Sequence, residues 1–147
     1  MASSVGYALG LSGTHSSAFL AASVARYSVT GVNAKSAAAA VLMSPTSGLG
    51  RAVITCLVVE ATAISDAPIF TISFGTNAAT YDNVYTATAI TFTGSNRAII
   101  FDVPVGVAAG GTPTMVSGTD LYYNISVAAG GTGAQTINVH AFVFYVA

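Results

Sequence analysis

Charge is what this chain lacks most. Of its 147 residues only 6% are Asp, Glu, Lys or Arg, against about 25% in an ordinary soluble domain. Solubility normally rests on charge, and a nearly neutral surface favours association. The composition therefore describes a chain built to be covered by copies of itself or by partners. The competing account lets Ser, Thr, Asn and Tyr hydrate the surface. The four basic residues, Arg26, Lys35, Arg51 and Arg97, are scattered, and the net charge is −1. Phosphate neutralisation relies on clustered Lys and Arg, so no nucleic-acid partner is expected.

Other absences narrow the class further. Cys56 is the single cysteine; it lies in the apolar run Val53–Val59, as a small buried hydrophobe would. One cysteine builds neither a disulfide framework nor a zinc site. Nowhere do about 18 predominantly apolar residues run together, because Gly, Asn and Thr interrupt every greasy stretch, and a transmembrane helix is not expected. A transmembrane barrel needs more alternating segments of about ten residues than the chain offers. The opening Met-Ala-Ser-Ser has no positive region and no apolar run behind it, so a secretory signal is not supported. No membrane partner is expected.

What is present is alternation. In Thr136–Ala147, TINVHAFVFYVA, every second residue from Ile137 is apolar: Ile137, Val139, Ala141, Val143 and Tyr145. The other face begins polar with Thr136, Asn138 and His140, then turns apolar at Phe142 and Phe144. Period-two alternation marks a strand with one face on a core. The late switch to two apolar faces predicts that its second half is covered on both sides. Lacking Pro and interior Gly, this strand suits the centre of a sheet better than its edge.

Upstream, residues 1–16 are small, glycine-bearing and aperiodic, an arm that orders on a neighbour. Ser17–Val29 carries a first strand. Asn33–Met43, NAKSAAAAVLM, predicts the one short helix, with Asn33 as cap, alanines to propagate it and Pro45 to stop it. Ser44–Gly50 is a linker. From Arg51 the pattern is all β: Ala52–Glu60, apolar on both faces and so central; Ile69–Phe74; Thr-rich Val84–Phe92; Arg97–Val103; Leu121–Ala128; and the last strand. Ala61–Pro68, Gly75–Asn83 and Gly94–Asn96 connect them. The motif VAAGGT occurs at Val107–Thr112 and again at Val127–Thr132, and its paired glycines predict that each copy releases a strand into a loop. The expected architecture is an all-β antiparallel sandwich, jelly-roll-like, with an N-terminal arm and short helical segment over residues 1–49 and the sandwich over 50–147.

No stretch carries recognisable catalysis. His15 and His140 are the only histidines, and no G-x-S-x-G elbow accompanies them. The acids Glu60, Asp66, Asp82, Asp102 and Asp120 are dispersed, whereas metal or glycosidase chemistry needs carboxylates that converge. Neither a metal nor any other cofactor is implied. Asn124-Ile125-Ser126 matches a glycosylation sequon, but it falls inside a strand. Tyr81, Tyr85 and Tyr122 could serve as a sugar-binding platform, but a place on an outer sheet face or in a subunit contact accounts for them better. Phe142, Phe144 and Tyr122 are the candidate subunit-interface residues.

The segment IFTISFGTNAATYDNVYTATAITF (Ile69–Phe92), a strand ending in G-T-N followed by an Asn/Tyr-rich loop and a Thr-rich strand, resembles small tailed-bacteriophage virion proteins. The closing INVHAFVFYV is similar to the same group. The resemblance implies a capsid decoration, or cement, protein: a virion component at the capsid surface, without enzymatic activity, that clamps the major capsid protein and assembles as a homotrimer. It carries over no functional residue. The alternative from another class is a receptor- or carbohydrate-binding sandwich of a phage tail or fibre.

Overall fold

The computed structural model describes residues 24–65, 67–93, 97–102, 114–115 and 118–146. These hold nine strands: β1 (Ala25–Asn33), β2 (Ala38–Met43), β3 (Arg51–Ile64), β4 (Ile69–Gly75), β5 (Tyr85–Thr91), β6 (Ala98–Asp102), β7 (Thr114–Met115), β8 (Leu121–Val127) and β9 (Gln135–Val146). They form two antiparallel sheets, one ordered β1-β9-β3-β6 with β7 added against β3, the other β2-β8-β4-β5. With the two-residue β7 set aside, β8 and β9 become the seventh and eighth strands. The sheets then read 1-8-3-6 and 2-7-4-5, the order of a jelly roll.

The last strand takes the central place its pattern predicts, between β1 and β3. Its inward set, Ile137, Val139, Ala141 and Val143, is fully buried, and Tyr145 continues it at half burial. Beside it Ile54, Leu57 and Val59 of β3 are buried too, and the facing sheet contributes Phe70, Ile72, Phe74, Leu121 and Ile125. Phe74 and Phe101 join the two sheets through the core with ring centroids 5.8 Å apart, and Tyr85 meets Phe101 edge-on at 5.0 Å. Opposed rings at such angles suit the aromatic quadrupole. At one end, Tyr145 Oη accepts from the Thr46 backbone N–H at 2.9 Å and also bonds the Tyr27 hydroxyl, which ties the β2–β3 loop to both neighbouring strands.

Two expectations for the first half of the chain need correction. Asn33 does act as a cap, its Oδ1 accepting from Lys35 N at 3.0 Å, but the residues it caps make a single turn rather than a helix. The alanines then enter β2, which pairs with β8 from Ala38↔Ile125 to Met43↔Leu121. The helix preference of alanine is under about 1 kcal/mol per residue. It loses to a continuous backbone ladder and to burial of Leu42 and Met43. In consequence β1 and β2 each supply a strand to a sheet, so the sandwich begins well before residue 50. The second VAAGGT copy leaves β8 for a loop, with Gly131 at φ 88°. The arm over 1–16, His15, Asp66, the Gly94–Asn96 turn and the first VAAGGT copy lie outside the described residues.

Candidate interaction faces

Each sheet has an outer face, and the two are finished differently. On the β2-β8-β4-β5 sheet the chain covers itself. The loop between β4 and β5 folds back over the sheet, where the Thr80 carbonyl accepts from Ser73 Oγ at 3.2 Å and from Asn124 Nδ2 at 3.0 Å. Tyr81 stacks on Tyr122, ring centroids 4.5 Å apart. Asn77 organises the loop: its Oδ1 accepts from Asp82 N at 3.0 Å and its Nδ2 donates to Asp82 Oδ1 at 2.9 Å. Asn83 Oδ1 accepts from Thr76 N at 2.7 Å. The Gly75-Thr76-Asn77 motif thus acquires a physical meaning: a glycine over which the loop closes, then two residues that lace it.

The Asp82 carboxyl is held below its ordinary value, first by the Asn77 amide and then by the Thr80 hydroxyl. A depressed folded value means that its contribution is present above the unfolded carboxylate range and is lost as pH falls through the depressed value. Acidification is therefore expected to loosen this loop, read as loss of the near-ultraviolet tyrosine circular dichroism of the Tyr81–Tyr122 stack. In an Asp82→Asn variant that acid-dependent loss should be absent.

The outer face of the β1-β9-β3-β6 sheet has no such cover from the described residues. Along β9 it carries Asn138, His140, Phe142 and Phe144; register places Arg26 beside Phe142, Ser28 beside His140, Val53 beside Phe144, Val58 beside His140 and Glu60 beside Asn138. Ile100, opposite Val58, is 65% exposed, and Val24, just ahead of β1, is 60% exposed. The face is divided. Phe144 and Val53 make its apolar end and Phe142 with Arg26 follows; Ser28, His140, Val58 and Ile100 form one row across the four strands; Thr30, Asn138 and Glu60 make its polar end.

The polar end is bonded across three strands. Asn138 Nδ2 donates to Glu60 Oε2 at 3.1 Å while its Oδ1 accepts from the Gly31 backbone N–H at 3.1 Å. His140, only 9% exposed, bonds Ser28 Oγ through Nδ1 at 2.8 Å, and its Nε2 stands 3.7 Å from Glu60 Oε2. A serine, a histidine and an acid have thus been brought together from distant parts of the chain. The geometry is not that of an acyl-transfer site. Glu60 lies beyond hydrogen-bond reach of the ring, and an oxyanion needs fixed donors beside the nucleophile. Ser28 and His140 are register partners in the sheet, where backbone donors serve the ladder, and the nearby Gly31 N–H is taken by Asn138.

No protein-family model matches the chain, and no curated protein matches it. Among solved structures it is similar to a chain of a cyanophage Pam1 capsid asymmetric unit, at 17% identity over 84% of each chain and a TM-score of 0.49. At that level of likeness no role is transferred between the two.

The three candidate interface residues do not come together. Phe142 and Phe144 share the open face, both half-buried, whereas Tyr122 lies on the opposite side of the sandwich against Tyr81 of its own chain. The three tyrosines weighed as a sugar platform are all half-buried and engaged, Tyr81 with Tyr122 and Tyr85 with Phe101. Among the described residues no group of three His, Cys, Asp or Glu side chains converges on a metal position. Sequence reasoning missed the network of Ser28, Glu60, Asn138 and His140. The alternation in β9 put Asn138 and His140 on one face with Phe142; nothing local revealed the register that brings β1 and β3 beside them.

Proposed function

We propose that this chain is a structural virion protein that binds its own copies and the shell of a phage head, as a decoration component at the capsid surface. The carrying observation is the apolar end of the open sheet face. A solvated face of an antiparallel sheet is ordinarily polar, yet here Phe142, Phe144 and Val53 project outward, with Val58 and the exposed Ile100 in the adjoining row beside His140. Covering such a face stabilises an assembly by about 25 cal/mol per Å² of apolar surface removed from water. A chain with 6% charged residues opposes that association little. The surface chemistry and the sequence resemblance of Ile69–Phe92 support the reading, and the major capsid protein is its implied partner. Trimeric association is the closed arrangement that the sequence resemblance implies.

The test is copy number and position. In a cryo-EM map of particles carrying this chain, it should be present in many icosahedrally ordered copies on the shell. A few copies at a tail tip would overturn the capsid reading in favour of a receptor-binding role.

A further inference from the structure

The polar end of the open face is a concavity of about 390 Å³, lined by Arg26, Ser28, Thr30, Glu60, Asn138 and His140, with Val58, Ala98 and Phe142 as its apolar wall. We infer that it is a binding site for a neutral pyranose, a single sugar unit of a glycan.

Three observations carry this. The chain has four basic residues, five acidic residues and two histidines in all, and it places Arg26, Glu60 and His140 around one hollow. In a molecule so poor in ionisable groups, that concentration is not the ordinary solvation of a sheet face. Second, the polar atoms there are only partly used. His140 is nine-tenths buried, bonded through Nδ1 alone, with Nε2 left 3.7 Å from the nearest Glu60 oxygen. That nitrogen is not sealed from solvent, so it keeps a hydrogen-bonding position that a ligand hydroxyl can take.

The third observation is the kind of chemistry offered. Glu60 only accepts, Arg26 only donates, and Asn138, Ser28 and Thr30 hydroxyl or amide groups do both. Adjacent sugar hydroxyls each donate and accept, so they match this mixed set, and bonds to Glu60 and Arg26 are charge-assisted. Arg26 and Glu60 balance in charge, which favours a neutral ligand over an anion or cation. Phe142 and Val58 supply the apolar wall on which the C–H face of a pyranose rests. The volume lies within the range of small-ligand sites, about 300–1,000 Å³. This site does not rest on the virion reading: it borders the surface proposed to be covered, sharing Phe142 and Val58 with it, and a subunit contact centred on Phe144 and Val53 leaves Glu60, Asn138 and His140 open.

The experiment uses the full chain with methyl α-D-glucopyranoside, methyl α-D-mannopyranoside and methyl β-D-galactopyranoside as probes, in saturation-transfer NMR and calorimetry. At least one should receive saturation and compete with the others. Arg26→Ala and Glu60→Gln, both at exposed side chains, should each weaken it by about tenfold or more, the loss expected for one charge-assisted hydrogen bond. Their melting temperatures should stay at the wild-type value. Saturation reaching none of the three probes overturns the proposal, as does binding that survives undiminished in both variants.

Discussion

Replacing Gly75 by alanine should unseat the entire loop from Thr76 to Asn83. A Cβ built there would lie 2.5 Å from the Tyr81 carbonyl carbon, 2.6 Å from Asn83 Oδ1 and 2.6 Å from the Asp82 backbone nitrogen. Two of these three are backbone atoms, held in place by Asn77 through its bonds to Asp82 and Asn83. They cannot yield as the end of a flexible side chain would. Relief requires the loop to lift, which separates Tyr81 from Tyr122 and releases Ser73 and Asn124 from the Thr80 carbonyl. Overpacking of this kind costs about 1–3 kcal/mol, and the lost stack adds to it. The expected readouts are a lower melting temperature and loss of the tyrosine dichroic signal. A Gly75→Ala protein with wild-type melting and an intact signal would show that the loop does not sit where the contacts place it.

The second large effect separates the two faces of β9. Val143 is fully buried in the core, whereas Phe144, its neighbour in sequence, faces outward beside Val53. The pleat assigns them to opposite sides of the sheet. Val143→Ala should lower protomer stability by about 1–3 kcal/mol through lost burial and a residual cavity. Phe144→Ala should instead weaken self-association, since an aromatic at an interface centre contributes about 2 kcal/mol or more. Thermal melting and mass in solution, measured on both variants, distinguish the effects. A Phe144→Ala protein that melts early while keeping its oligomeric mass would place that ring under its own chain.

How much of the fold was legible in the sequence depends on how local each signal was. β9 announced itself because its alternation runs unbroken from Ile137 to Tyr145, and β3 because Ala52–Glu60 is apolar on both faces; both proved interior strands. β2 did not, because alanine reads as helix locally and only the distant β8 ladder converts it to strand. The polar network was illegible for the same reason in stronger form. His140 meets Ser28 across 112 positions and Asn138 meets Glu60 across 78, and a one-residue change of register would separate each pair. Interface assignment stood between these cases. Alternation sets Phe142 and Phe144 on the face away from the core-facing set, whereas Tyr122 is an aromatic at an outward strand position, and no local signal shows that Tyr81 returns to cover it.

The central claim is that the apolar end of the open β1-β9-β3-β6 face, around Phe144 and Val53, is made to be covered by another copy. The most direct test is the mass of the purified full chain by multi-angle light scattering at micromolar concentration, beside that of Phe144→Ala. The account predicts a trimer for the wild-type chain and a shift toward monomer for the variant, with any fall in melting temperature tracking the lost association. A wild-type chain that is monomeric throughout the micromolar range would contradict it.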